Sequence, residues 1–187
     1  MKTFAMVLLL AAMAVPAGAA VIWNEGVNGD LSSSEAAPTA ISFGVGSNTI
    51  IGSVSGSPLD RDYITFTIGA GQTLSHVNLI ALSPDNLSFT AFNSGSTSFI
   101  PSGATNGSFL SGIHISAADV GFDLMPFYDT RNVTTNSLPS PSLGPGTYCW
   151  MIQQTSPVLE SYTVDFVIDG ALQTDSKTWG MIKALYR

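Results

Sequence analysis

The sequence predicts an all-β fold, a β-sandwich of about eight strands with a short C-terminal appendage, and three observations predict it. Its apolar residues fall into short runs rich in β-branched and aromatic types rather than into long helical stripes. Several runs alternate with period two: Ile41/Phe43/Val45, Ile64/Phe66/Ile68, Val77/Leu79/Ala81, Tyr148/Trp150/Ile152 and Val164/Phe166/Ile168 would each line one face of a strand. The 18 Gly and 10 Pro lie mostly between the runs, where turns need them.

The elements follow in chain order. Residues 1–20 read as a secretory signal: Lys2 supplies the charged end, Phe4 to Val15 the apolar run, and Ala17-Gly18-Ala19 the small residues before cleavage after Ala19 or Ala20. That run is shorter than the ~20 residues a bilayer-spanning helix needs. No later run is long and apolar enough either, so no membrane span is expected. The sandwich occupies residues 21–169. Its strands are expected at Thr39 to Val45, Asn48 to Val54, Tyr63 to Ile68, Leu74 to Leu82, Leu87 to Phe92, Gly112 to Ile115, Gly146 to Gln154 and Tyr162 to Ile168. Short strands of this number and spacing make a sandwich. Met125 to Gly144, with Pro126, Pro139 and Pro141, is expected as one long surface loop of the kind that carries binding sites. Residues 170–187 form a basic, aromatic tail. Lys177, Lys183 and Arg187 supply its charge, and Trp179, Ile182 and Tyr186 recur at helical spacing. Two readings stay open for it: a segment that docks its Trp on the sandwich, or a sorting or partner-binding signal.

Composition narrows the function. With 187 residues, 45% hydrophobic and 10% charged, the chain folds, and one domain accounts for it. A net charge of −7 and a pI near 4.4 exclude nucleic-acid binding, which needs clustered Lys and Arg. Cys149 is the single cysteine, so no internal disulfide forms; it is either a small buried residue or a link between chains.

Several motifs resemble the bacterial pre-peptidase C-terminal domain. They are the Asn24-Glu25-Gly26-Val27-Asn28-Gly29-Asp30 opening, Ala37-Pro38-Thr39, Gly52, the run Asp60-Arg61-Asp62-Tyr63-Ile64-Thr65-Phe66-Thr67, and Gly69-Ala70-Gly71. Val120 to Leu124 and Leu143 to Thr155 are similar to stretches of secreted bacterial proteins built on the same domain. The resemblance implies a sandwich of jelly-roll type, and calcium at acids in matching positions.

The residues themselves leave the acidic cluster open. Glu25, Asn28 and Asp30 in a turn-rich opening, facing Asp60 and Asp62, could give a hard cation such as Ca2+ the six to eight oxygens it wants. Asp60 and Asp62 share a face of an extended chain, with Arg61 pointing away. The same Asp, Asn and Gly are equally the ordinary material of turns. Zinc is disfavoured by one Cys and two separated His.

Catalysis finds little support. The parity of their apolar neighbours puts His76 and His114 on solvated faces, and no G-x-S-x-G elbow occurs. Asp165 and Asp169 are four apart near a strand end, and Asp165 is expected on a solvated face. Trp23, Phe127 and Tyr128, in loops, are candidates for stacking on sugar rings or packing on a protein. The sequence therefore reads as a secreted, non-catalytic binding or matrix module in the periplasm, at the cell surface or outside it, contacting polysaccharide or protein. The alternative is a secreted hydrolase or an accessory module of an extracellular peptidase system.

Overall fold

The computed structural model describes residues 19–84, 87–97, 109–136, 138, 142–154 and 156–170. Most of the signal segment and all of the tail beyond Gly170 lie outside the described residues. Among the described residues there are nine strands, two short α-helices and a 3-10 helix at Ala117–Asp119, in chain order: β1 Ala20–Asn24, α1 Glu25–Asn28, β2 Thr39–Ala40, β3 Gly46–Gly56, β4 Leu59–Ile68, β5 Gln72–Ser83, β6 Ser88–Ser94, β7 Ser111–Ile115, the 3-10 helix, α2 Phe127–Thr130, β8 Gly146–Gln154 and β9 Glu160–Gly170.

One layer runs β5-β9-β3 with β1 added beside β3; the other runs β4-β8-β6-β7 with β2 beside β4. The β3–β4 hairpin joins them through Ser55↔Asp60 and Gly56↔Leu59. All pairings are antiparallel except β1 with β3 and β2 with β4. The layers face each other through their rings. Trp150 of β8 lies 5.2 Å, edge-on, from Phe166 of β9, and Phe66 of β4 lies 6.1 Å from Phe166. This is the all-β sandwich expected from the alternation, with Ile64, Phe66, Ile68, Trp150, Ile152, Val164, Phe166 and Ile168 buried between the layers.

The departures have local causes. Thr39 to Val45 is a strand only at Thr39–Ala40, because Asn48 takes over the following loop. Its amide accepts from the Gly44 N–H and donates to the Gly44, Gly46 and Phe166 carbonyls. Strand β1 has no counterpart among the expected strands. In β5, register shifts between Leu74 and His76 and between Leu79 and Ala81 move the apolar parity. Leu74, Val77, Leu79 and Leu82 are buried, while Ala81 is exposed.

The described residues of Met125 to Gly144 do not make the one long surface loop expected of them. Met125, Tyr128, Leu138 and Leu143 sit in the core, because α2 and its flanks cap it beside β7. Asp165 is buried rather than solvated, since Ser47 and Thr49 on neighbouring β3 donate their hydroxyls to it. Cys149 is buried in β8, as a small core residue would be.

The two ends of the sandwich differ. At one end the chain turns through glycines in left-handed backbone, Gly71, Gly95, Gly146 and Gly170. At the other end the β3–β4, β5–β6 and β8–β9 connections gather. Ser83 pairs with Ser161, Ser88 with Gln154, and the Gly56 N–H donates to the Ser156 carbonyl. Parallel β1 delivers α1 to this same end. Among the described residues no helix is long and apolar enough to cross a membrane.

Candidate functional site

Asp62 is the centre of the site. In β4 the core face is Ile64, Phe66 and Ile68, and the same parity carried back two residues puts Asp62 inside, fully buried opposite Ile152. Tyr162 of β9 donates its hydroxyl to Asp62 Oδ2 at 2.6 Å. Asp62 Oδ1 accepts no hydrogen bond from the described residues. A buried carboxylate oxygen left without a donor is costly. Burial accordingly pushes the Asp62 carboxyl up to about 9, against the pull of the Tyr162 hydrogen bond and with help from the charges of Glu25, Asp60 and Asp30.

Gly52 makes the Tyr162 contact possible. It is the cross-strand partner of Tyr162, and a Cβ at Gly52 would stand 2.5 Å from the Tyr162 hydroxyl oxygen. The glycine leaves the space in which the phenol lies across β3 to reach Asp62.

The N-terminal segment brings the other acids. Asn24 caps α1 by accepting from the Gly26 N–H at 3.0 Å, and the Asn28 side chain accepts from the Asn24 N–H at 2.8 Å. Glu25 is thereby turned onto the sheet. Its Oε1 accepts from the Leu31 N–H at 3.1 Å, and its Oε2 accepts from the Ser53 N–H at 2.7 Å and the Ser53 hydroxyl at 3.2 Å. Gly29, in left-handed backbone at φ 89°, reverses the chain so that Asp30 returns toward Glu25. Carboxylate oxygens of Glu25, Asp30 and Asp62 lie within 4.8 Å of one another. Burial raises the Glu25 carboxyl above its ordinary value and outweighs its backbone donors; Asp30 adds to the rise.

The five residues expected as metal ligands are thus only partly gathered. Glu25, Asp30 and Asp62 converge. Asp60 stands beside them, its carboxyl raised by burial and accepting from the Ser33 hydroxyl at 2.9 Å. Asn28 is exposed and engaged as a cap. Tyr162, Gly52 and Ser53, which shape the site, were not singled out from sequence for it.

The expected aromatic ligand site does not form. Tyr128 is fully buried; its hydroxyl accepts from the Trp150 indole at 3.1 Å and bonds the Thr90 hydroxyl at 2.8 Å. A core phenol with both contacts inside has no face for a ligand. Phe127 lies under the Arg131 guanidinium, 3.9 Å from its ring centre. Trp23 is on β1 across from Ile50, half-buried, its indole donating to the Gly29 carbonyl at 3.1 Å. These rings belong to different layers. His76 is exposed and paired with Asp123 at 2.8 Å, and exposed His114 packs against Phe89. Neither histidine hydrogen-bonds a hydroxyl or thiol among the described residues.

No protein-family model matches the chain, and no curated protein matches it. Among solved structures it is similar to periplasmic inhibitors of g-type lysozyme. The Salmonella Typhimurium PliG is 18% identical, with 70% of this chain and 99% of that one covered at a TM-score of 0.34. A mutant of the Escherichia coli protein gives 21%, 70%, 96% and 0.36, and the Aeromonas hydrophila protein 16%, 70%, 96% and 0.35.

Proposed function

We propose that the chain is a secreted, non-catalytic binding module whose N-terminal segment is fastened to the sandwich by calcium. The observation that carries the reading is the convergence of Glu25, Asp30 and buried Asp62, whose Oδ1 accepts no hydrogen bond from the described residues. Three carboxylates with no nitrogen or sulfur ligand suit a hard cation, and calcium tolerates the irregular geometry that a turn and a strand provide. Glu25 and Asp30 belong to the segment before β2 and Asp62 to β4, so an ion held by all three would lock β1 and α1 in place. The acids are otherwise a concentration of like charge beside a buried carboxyl. The motif resemblance to the pre-peptidase C-terminal domain supports the same reading, as does the secretory signal.

Thermal unfolding with and without calcium tests it. At about 100 times its dissociation constant, an ion that binds only the folded chain adds about 2.7 kcal/mol. Sites of extracellular modules bind near 10⁻⁴ to 10⁻³ M, so roughly 10 to 100 mM calcium is needed. The expected result is a rise in melting temperature that Asp62→Asn abolishes. A melting temperature indifferent to calcium, or equally raised in Asp62→Asn, leaves these acids as turn residues.

A further inference from the structure

The outer face of the layer β4-β8-β6-β7 carries polar groups that the acidic site does not use. In β4 the core-facing residues are Asp62, Ile64 and Phe66, so Arg61 and Tyr63 lie on the other face. Strand pairing sets Arg61 beside Gln153, Gln153 beside Phe89 and Phe89 beside His114, one row across four strands. Three interstrand steps make that row about 14 Å long. In the next row Tyr63 lies opposite Met151, in a second apolar cluster with Ala91 and Phe109 against which Phe89 packs.

Two hydrogen-bond donors here lack an acceptor. Tyr63 is fully buried and Arg61 half-buried, and neither the Tyr63 hydroxyl nor Arg61 Nε has a hydrogen-bond partner among the described residues. The Arg61 guanidinium is close enough to pull on the Tyr63 phenol, but burial outweighs that pull and keeps the phenol protonated, hence a donor. The charge of Glu35 also reaches Tyr63, yet Glu35 accepts from neither atom. Donors out of water with nothing to meet them are costly. A single carboxylate meets both, one oxygen to each. Admitting it takes a swing of the Arg61 guanidinium, the free end of a long side chain.

The row beside these donors indicates what carries the carboxylate. Strands β8 and β6 are paired on both sides, so the ladders already hold their backbone groups, and an extended peptide laid across them has no strand edge to join. Gln153 and His114 supply an amide and an imidazole, which exchange hydrogen bonds with hydroxyls. Half-buried Phe89 stands between them and supplies an apolar ring. Hydroxyls and a C–H face on one body are the chemistry of a sugar.

We propose that this face binds an acidic saccharide, its carboxylate held between Arg61 and Tyr63 and its ring laid toward Gln153 and Phe89. The proposal rests on the binding-module reading, whose ligand class it names, and it does not depend on calcium.

Titration of the chain beginning at Ala20 with glucuronate, in chelator, tests it by NMR of the arginine Nε–H and the aromatic rings. The expected result is a saturable shift of the Arg61 Nε–H and the Phe89 ring. Glucose lacks the carboxylate and acetate lacks the ring, so each should bind less tightly than glucuronate. Arg61→Gln should weaken glucuronate about tenfold or more, as loss of a charge-assisted hydrogen bond does, and Glu35→Gln should strengthen it by removing a like charge. Tyr63→Phe separates a ligand contact from a structural one. It should weaken glucuronate while leaving the melting temperature of the free chain unchanged or higher, because the hydroxyl it removes has no partner to lose. His76→Gln, at an exposed residue of the other layer, should bind as the parent does. Absence of a saturable shift, glucose or acetate binding as tightly as glucuronate, tetraglutamate binding more tightly, or a melting temperature lowered by Tyr63→Phe overturns the proposal. Calcium-dependent melting without glucuronate binding would remove this inference alone, and glucuronate binding with melting indifferent to calcium would remove only the calcium reading.

Discussion

Asp62→Asn should flatten the pH dependence of stability that one buried carboxyl imposes on the cation-free protein. In the unfolded chain Asp62 titrates at its ordinary 3.8, and in the folded one at about 9. Between those values the folded state holds a proton that the unfolded state has released. The contribution of Asp62 to stability is therefore fully present below 3.8, is lost as pH rises, and is exhausted above about 9. Each pH unit in the window is worth about 1.36 kcal/mol, so from pH 6 to pH 8 the parent should lose about 2.7 kcal/mol that Asp62→Asn does not.

Urea unfolding in chelator, at constant ionic strength, measures it. The difference between parent and variant is the informative quantity, because groups remote from Asp62 contribute equally to both. Calcium should remove the difference in slope, since an ion on Asp62 replaces the proton in the folded state. A parent and variant that lose stability in parallel from pH 6 to pH 8 would refute the assignment of a protonated Asp62 to this site.

The remaining expectations concern the supports of the site and the core. Gly52→Ala should destabilise the fold by roughly 1 to 3 kcal/mol, because its Cβ displaces the Tyr162 hydroxyl, and it should also weaken any calcium effect on melting. Tyr128→Phe leaves the buried Trp150 indole without its acceptor and should cost roughly 1 to 3 kcal/mol in urea unfolding. His76→Ala removes an exposed pair with Asp123 and should change stability by less than about 1 kcal/mol. Ester, peptide and glycoside substrates should not be turned over; an activity lost in His76→Ala or His114→Ala would restore the hydrolase. Secreted protein should begin at Ala20 or Val21, which N-terminal sequencing reads directly; Met1 at the terminus would contradict export by cleavage.

Period-two alternation made the sandwich readable, because a strand between two layers must place every second side chain in the core. It failed where the period is broken by hydrogen bonding that alternation does not register. In β5 two register shifts place Leu74 and Val77 on one side although they are three apart, and turn Ala81 outward. Strand β1 was hidden for another reason. Its Ala-Val-Ile-Trp-Asn follows directly on the small residues of the signal and is too short to stand apart from them. Tyr128 was misplaced because a proline-rich stretch reads as loop, whereas α2 folds its phenol back onto Trp150 and Thr90.

The acidic site divides along the same line. Glu25, Asp30, Asp60 and Asp62 could be named from residue type and spacing, since carboxylates near turns are visible as such. What distinguishes them could have been extracted from one further step of parity: Ile64, Phe66 and Ile68 face the core, so Asp62 does too, and an aspartate on the core face demands a partner. The identity of that partner was beyond reach. Tyr162 lies 100 residues away and meets Asp62 only because β9 pairs with β3 in the register that sets Gly52 opposite it. A shift of one residue would point Tyr162 out of the core and leave Asp62 with neither oxygen satisfied. The β3–β9 register and the chemistry of the site are thus fixed by the same pairing, and the pH dependence of Asp62→Asn against the parent reads both.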